Sequence, residues 1–370
     1  MSVCHYSTIV TRCFRRCFRQ WKIGYRYRTV QVRKLGTRAE NQADQECRLL
    51  GGKESWDTVT FQFTPRESAR AAALLSGSVD VINDVASDME ASFKDYTQTS
   101  VTSYILMYLS LDESRDNSPY IKGPDGKPLS ENPFKKLKVR QALMASINRG
   151  GIIKFLMKSD ATATDQLVPP GFFGYDSSAK PADTDLVKAR TLLAEGGYPK
   201  GFQLALHCPN NRFANDARLC EAIGQTLSQI GIRTDVVTMP FSTYLTHLIG
   251  GGPNGDPEFN AGLVGTGAVT GDSLTLLTSL VHGNNKSSGF GANNFGRYSN
   301  PAVDVLIGNA LSTTDEKDRE GLQRKAAQTA LQEGAIIPLL HINVTWAMKN
   351  NLTISPRADG FTMATDIRSK

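Results

Sequence analysis

From residue 53 onward, hydrophobic positions follow two patterns that alternate along the chain, one typical of strands and one typical of helices. Stretches that alternate polar and apolar residues, or that are apolar throughout, have the length and β-branched content of strands. Stretches with apolar residues every three or four positions predict amphipathic helices, several of which end at a glycine. This succession of helices and strands predicts an α/β protein.

The predicted elements are bounded by clear local signals. Asp185 is suited to cap the start of one helix and Gly196 to end it, while Gly77 predicts a turn from a helix to a strand. The predicted strands are 56–63, 79–82, 104–111, 202–206, 234–238 and 336–340. The predicted helices are 65–75, 134–157, 185–195, 215–230, 240–248 and 300–334, and residues 112–131 predict a loop.

The net charge of +6 is concentrated at one end of the chain. Residues 1–50 hold eleven Lys and Arg against three Asp and Glu, whereas the remaining residues hold 31 against 33. A near-neutral body without a basic stripe argues against a nucleic-acid partner. Since no run of eighteen apolar residues occurs, and the first twenty residues lack an apolar core, we expect neither a transmembrane helix nor a signal peptide.

The usual patterns of metal sites and of hydrolases are absent from the sequence. The five histidines are scattered, and no HExxH motif, paired CxxC motif or EF-hand loop occurs. A G-x-S-x-G nucleophile elbow is also missing. We therefore expect no metal site, no cofactor and no enzymatic activity.

A glycine-rich segment at 262–271 has two possible interpretations. Its G-x-G-x-x-x-G pattern could cradle a pyrophosphate, which would make the chain a nucleotide-dependent α/β enzyme. That motif needs an acidic residue about twenty positions later, but the only acid in the next twenty residues is Asp272. We favour a glycine-rich crossover loop beside a ligand cleft and keep the enzyme as the alternative.

Three residues near 210 are candidates for binding or for cross-linking. Arg212 lies in a predicted strand-to-helix loop, where a guanidinium could hold a ligand carboxylate or simply be a solvated charge. Cys208 and Cys220 flank the same loop. They could form a disulfide in an oxidising compartment or remain small buried residues.

Five motifs, in a fixed order, resemble the bacterial extracellular solute-binding proteins of family 5, which serve ABC importers of peptides. The resemblance runs from about residue 51 to about residue 367. It rests on the segments SARAAALLSGSVDV (68–81), VRQALMASINR (139–149), ARTLLAEGGYPKGF (189–202), IGI (230–232) and YSNPAVD (298–304).

The resemblance implies a two-lobed periplasmic-binding-protein fold of type II that encloses a peptide or similar small solute and performs no chemistry. It implies partial lobe I at 51–110 and 346–370, and lobe II at 111–345. The hinge strands would be 104–111 and the segment near 342–346. The implied partners are the permease and ATPase subunits of an ABC importer, and the family location is the periplasm.

The resemblance also points to candidate ligand-binding residues after the strand near 265. Peptide-binding members hold the ligand's amino group with an Asp that follows a Trp-Gly pair. Here Thr266 replaces the Trp, Ala268 or Val269 stands where the Asp is expected, and Asp272 fits a later position. We predict a ligand site with Arg212, Thr266 and Asp272, and a ligand other than a dipeptide with a free amino terminus.

The first fifty residues do not resemble the family, and the resemblance implies an incomplete first lobe without its inserted small domain. Read one nucleotide later, codons for Arg26–Gln31 permit Gly-Thr-Gly-Pro-Tyr and those for Gln45–Leu50 permit Arg-Asn-Ala-Asp-Tyr-Trp, two strings typical of the family. We therefore predict an out-of-frame, unpacked leader. An Arg-rich transit peptide is the alternative, since no acid precedes Glu40.

A chain with part of its cleft missing is expected to bind ligand weakly or not at all. Detectable high-affinity peptide binding in calorimetry would contradict that expectation. Without a signal peptide, the chain as written is expected in the cytoplasm.

Overall fold

The structure is a computed structural model that describes residues 56, 58–64, 66–179, 181–213 and 215–370, together with the backbone of 31–35 and 40–44. It divides the chain into two compact units, Met1–Pro65 and Arg66–Lys370. Residues 1–30 of the predicted leader lie outside the described residues.

The described part of the first unit is a three-stranded antiparallel sheet. Its strands, in sheet order, are β1 (Gln31–Leu35), β2 (Glu40–Asp44) and β3 (Thr58–Gln62). Both β1 and β2 lie within the predicted leader, and the prediction that this leader is unpacked stays a prediction. The strand predicted over 56–63 is confirmed at its centre.

The second unit combines helices with both short and long strands. Its strands are β4 (Val81–Ile82), β5 (Thr97–Leu111), β6 (Ile121–Lys122), β7 (Ala161–Ala163), β8 (Phe202–Pro209), β9 (Ile232–Met239), β10 (Ala261–Gly267), β11 (Ile337–Met348), β12 (Leu352–Ile354) and β13 (Ile367–Ser369). Its α-helices are α1 (Glu67–Leu75), α2 (Leu137–Ser146), α3 (Arg149–Ile152), α4 (Leu186–Glu195), α5 (Asp216–Ser228), α6 (Phe241–Gly250), α7 (Leu274–Leu276), α8 (Pro301–Ser312) and α9 (Glu316–Gln332). None of the helices in the described ranges has the length and apolar character needed to cross a membrane.

One mixed sheet organises this unit. Within the described residues its order is β4-β11-β5-β10-β8-β6, with β7 also paired to β11 and β9 to β8. The strands β10, β8 and β9 run parallel, whereas β5 and β11 form a long antiparallel pair. The sheet confirms the predicted α/β class, and β5 and β11 contain the two predicted hinge segments.

Apolar side chains fill both faces of the sheet. One core cluster includes Leu143, Leu193 and Ile223 from α2, α4 and α5, packed on Leu109 and Leu206. The cluster on the other face includes residues of α6, α8 and α9, and a third cluster joins α1 to β4 and the end of β11. Since each helix presents an apolar face to the sheet, the 3.6-residue period located most of them correctly.

Local capping residues divide two helices that were predicted to be continuous. The predicted helix 134–157 ends at Ser146, because Ile147 is extended and the Asn148 side chain accepts a hydrogen bond from the Gly151 N–H to start a new turn. The predicted helix 300–334 is interrupted at Thr313, and Asp315 caps the start of α9. In both cases an Asn or Asp cap overrides the apolar period.

Other element boundaries differ by less. The predicted loop at 112–131 contains the short strand β6, and four predicted strands extend further than their apolar cores suggested. Asp185 caps α4 as predicted, since its Oδ1 accepts from the Lys188 N–H at 2.8 Å. Gly77 has a φ of +76° in the turn after α1, as the helix-to-strand turn requires.

The long strand β11 carries a buried histidine that links stability to pH. His341 is 2% exposed, and burial lowers the pKa of its imidazole to about 4. An imidazole in the unfolded chain titrates near pH ~6.5, so the unfolded state takes up the proton first as the pH falls. Stability should therefore be fully present above that pH and decrease as the pH falls from there to about 4.

We expect the wild-type protein to lose about 2 kcal/mol more than His341→Leu when the pH falls from 8 to 5. The measurement is urea unfolding of both proteins at the two pH values. The leucine has no proton to gain, so the difference between the two proteins isolates this imidazole. An equal loss in both proteins would contradict the assignment.

Candidate ligand site

Three parallel strands end at the same edge of the sheet. β8 ends at Pro209, β9 at Met239 and β10 at Gly267, and the three connections that follow lie beside one another. The carboxyl ends of parallel strands are where open α/β sheets bind ligands, because the loops there are free to differ while the strands hold them in place. We refer to residues 210–213, 240–241 and 268–272 as the carboxyl edge.

Arg212 occupies the centre of the carboxyl edge. Its guanidinium carbon lies 5.0 Å from the ring centres of both Phe213 and Phe241, so two aromatic faces hold the guanidinium group. The Asn211 Oδ1 accepts a 2.7 Å hydrogen bond from the Phe241 N–H, which ties the connection after β8 to the connection after β9. The half-buried Arg212 is therefore positioned by packing.

A buried carboxylate fixes the backbone of the Arg212 loop. The Oδ2 of Asp216 accepts hydrogen bonds from the N–H groups of Arg212 at 2.9 Å and Phe213 at 3.2 Å. Its Oδ1 accepts from the Ala217 N–H at 2.8 Å. Since Asp216 occupies the amino-terminal end of α5, an anion at this edge would meet the Arg212 side chain and not the helix end.

The glycines of β10 make room for aromatic rings. A Cβ atom at Gly265 would overlap the ring of Phe213, and one at Gly267 would overlap the ring of Tyr104. Both rings therefore lie against the same face of β10, two residues apart. The predicted glycine-rich crossover loop is wrong for 262–267, which is a strand paired with β5 and β8. The same pairing leaves no loop there to cradle a pyrophosphate.

The other two predicted site residues lie beyond these rings. Thr266 is half-buried and faces the side of β10 opposite Gly265 and Gly267. Asp272 accepts a hydrogen bond from the Leu274 N–H at 2.8 Å, and its Oδ2 lies 3.9 Å from the Arg319 guanidinium. The structure thus places Arg212 and β10 together, whereas Asp272 contacts α9. Val269 is 68% exposed in the turn after β10.

A disulfide joins the two elements that flank the Arg212 loop of the carboxyl edge. The Sγ atoms of Cys208 and Cys220 are bonded, and the two Cα atoms are 6.6 Å apart. Of the two alternatives that the sequence left open for these cysteines, the structure shows the cross-link. It joins the end of β8 to α5, so it closes the loop that carries Arg212.

A groove that sequence reasoning missed begins just after that loop. Its volume is about 700 Å³, and it lies between the start of α1 with residues 86–88 and the face formed by 148–160 and α5. Asn215 and Arg218, at the start of α5, line it. No sequence signal could have located the groove, because its walls come from distant segments.

Acidic groups outnumber basic groups along the groove. The acids are Glu67, Asp88, Asp160 and Glu221, and the bases are Lys158 and Arg218. Burial raises the pKa of Asp160, although two hydrogen bonds from Ser87 act in the opposite direction. Among the residues that the structure describes, no group of three His, Cys, Asp or Glu side chains is arranged to hold a metal ion.

Comparison with known proteins identifies the family. A model described as bacterial extracellular solute-binding proteins, family 5 middle, matches residues 42–288. The match begins within the predicted leader, before the expected start at residue 51. The chain is 28% identical over 331 residues to di/tripeptide-binding protein 1 of Pseudomonas aeruginosa, covering 85% of this chain and 57% of that protein.

Two further similarities agree with this match. Heme-binding protein A of Haemophilus influenzae is 26% identical over 349 residues, which cover 90% of this chain and 58% of that protein. The solved structure of HbpA2 from Haemophilus parasuis superimposes with a TM-score of 0.75 at 21% identity, over 92% of this chain and 64% of that one. That superposition shows the fold, which is the predicted type II periplasmic-binding-protein fold. The chain therefore belongs to the bacterial extracellular solute-binding proteins of family 5, and it spans little more than half the length of the curated relatives it matches.

Proposed function

We propose that this chain is the solute-binding component of an ABC importer, which captures a peptide or a related small solute and delivers it to a membrane permease. The observation that carries the proposal is the family match over residues 42–288, which includes the whole carboxyl edge. The partners would be the permease and ATPase subunits of that importer, and the place of action would be the periplasm. A disulfide at Cys208–Cys220 suits an oxidising compartment of that kind.

The second unit supports a division into two lobes. We propose that lobe I, predicted over 51–110 and 346–370, includes residues 66–110 and 346–370 of this unit, and that residues 111–345 form lobe II. In support, α1 and β4 have their own core cluster, centred on Leu74 and Phe93, apart from the two clusters on the faces of the large sheet. The strands β5 and β11 run through both parts and would act as the hinge.

We propose that the carboxyl edge binds the ligand through Arg212, with Thr266 and Asp272 as further candidates. A guanidinium can donate two parallel hydrogen bonds to a carboxylate, and the stacked Phe213 and Phe241 rings reduce the entropy lost on binding. The ring of Tyr104, from β5, and the ring of Phe213, from the loop after β8, lie against the glycines of β10. These rings would contact the apolar parts of the solute. The ligand class that fits this edge is a small solute with a carboxylate and an apolar body.

Replacing Arg212 by glutamine should weaken the binding of carboxylate-bearing peptides about tenfold or more, because the charged, bidentate partner is lost. Saturation-transfer NMR with a set of amino-acetylated di- and tripeptides measures this affinity. Peptides with an amidated carboxyl terminus should bind the wild-type protein and the variant equally. Arg233→Gln is the matched control, since Arg233 is an exposed arginine at the opposite end of the parallel strands.

The outcomes separate the role of Arg212 from the function itself. Equal binding of free and amidated peptides to the wild-type protein would exclude Arg212 as the carboxylate partner but leave the transport function. We expect this chain to retain weak binding, which saturation transfer detects, so the absence of any signal from peptides and heme would contradict the proposed function. We further infer that the chain performs no chemistry. Saturable quenching of its tryptophan fluorescence by NAD would instead favour the nucleotide-dependent alternative.

A further inference from the structure

The hinge strand β11 holds two groups of elements on either side of a register shift. Its pairing with β5 shifts between Pro338 and Leu340 and again between His341 and Asn343, and the second of these shifts separates the two groups. Residues 340–342, the last of which lies within this second shift, pair with β7. After the shift, residues 347–348 pair with β4. A rotation about this irregular point would therefore move the α1–β4 side relative to the side that carries β7 and α5.

One carboxylate bridges the two sides beside this shift. Both oxygens of Asp160 accept hydrogen bonds from Ser87: Oδ1 from the backbone N–H and Oδ2 from the side-chain hydroxyl, each at 2.8 Å. Asp160 directly precedes β7, while Ser87 follows Val85, whose N–H donates to the Thr345 carbonyl at 3.1 Å. The two residues are thus attached to β11 on opposite sides of the shift.

A second contact runs parallel to the first. The Ser159 hydroxyl donates to Glu90 Oε1 at 2.6 Å. The Ser159 carbonyl accepts from the Asn343 Nδ2 at 2.8 Å, at the shift itself. These bonds hold the segment 158–160 against both the hinge and the segment 86–90.

We propose that the Ser87–Asp160 contact is a clasp that sets the angle between the two sides of the second unit. Opening the groove about the register shift would draw Ser87 away from Asp160 and break both hydrogen bonds at once. Ser87 and Asp160 both line the groove, so the clasp also sets its width. Since both hydrogen bonds of the clasp join residues of the second unit, the clasp does not depend on the identity of the solute.

The test compares the wild-type protein with Asp160→Ala by double electron–electron resonance. Spin labels on non-natural amino acids at Leu75 in α1 and Val187 in α4, which are 49% and 73% exposed, report the separation of the two sides without using cysteines. We expect a wider distance distribution in Asp160→Ala. We also expect amide exchange at Ser87 to be about tenfold faster, because its acceptor is gone.

Asp125→Ala is the matched control. Asp125 also accepts a hydrogen bond from a backbone N–H, that of Lys127, but joins residues of a single turn. The control should leave both measurements at their wild-type values. Ser87→Ala removes only one of the two bonds and should give an intermediate width, which keeps the test decisive if Asp160→Ala does not fold. A wild-type distance distribution in Ser87→Ala and in any folded Asp160→Ala would overturn the clasp.

Discussion

Replacing Gly201 by alanine is expected to lower the free energy of unfolding by about 4 kcal/mol. Gly201 precedes β8 with a φ of +69°, and a Cβ atom there would overlap the carbonyl oxygen of Gly231, which precedes β9. The neighbour is backbone, so no side-chain rotation can relieve the overlap. The first residues of the two parallel strands, Phe202 and Ile232, pair directly, so the strain would pass into the sheet. Urea unfolding followed by circular dichroism measures the loss.

Gly126→Ala separates the cost of the positive φ from the cost of the overlap with the Gly231 carbonyl. Gly126 also has a positive φ, +82°, but a Cβ atom there would lie 3.9 Å from its nearest neighbour, the Gln203 Nε2. This variant should lose only about 1 kcal/mol, the cost of a left-handed alanine. If both variants lose the same amount, the close approach of Gly201 to Gly231 does not contribute.

The close approach of Gly201 to Gly231 gives a physical reason for two of the family motifs. The segments ARTLLAEGGYPKGF and IGI are about thirty residues apart, yet their glycines Gly201 and Gly231 meet at the start of the parallel pair β8 and β9. The motif is therefore a packing requirement of the fold. It predicts the family and the fold, and it carries no information about the solute.

Local elements could be predicted because their causes are local. The 3.6-residue period, the Asp185 cap and the Gly77 turn act within one or two turns of chain, and the structure confirms them. The breaks at Asn148 and Thr313 were missed because an apolar period continues through them while a single polar side chain stops the helix. An Asn two residues before a Gly-Gly pair, as at 148, was the available signal.

The site was only partly predictable because its geometry depends on distant segments. The loop position of Arg212 could be read from neighbouring elements, but Phe241, whose ring contacts its guanidinium, is the first residue of α6, after the next strand along the chain. The bonds between Ser87 and Asp160 join residues 73 positions apart. The glycines of β10 were read as loop residues, since the sequence does not show that the rings of Phe213 and Tyr104 lie over them.

Reducing the Cys208–Cys220 disulfide is expected to lower the free energy of unfolding by about 3 kcal/mol. The cross-link closes a loop between residues separated by 12 positions, and its removal restores conformational entropy to the unfolded chain. Both cysteines are fully buried, so reduction also leaves two thiols inside the core. Urea unfolding with and without a phosphine reductant measures the change.

The double variant Cys208→Ala/Cys220→Ala distinguishes this bond from the four cysteines near the start of the chain. It should show the reduced stability in both conditions and no response to the reductant. Because the disulfide closes the loop that holds Arg212, the variant should also lose part of the preference for free over amidated peptides, while Arg212 itself remains. If the preference persists at full strength, the Asp216 carboxylate and the two phenylalanine rings are sufficient to position the guanidinium, and the disulfide serves stability alone.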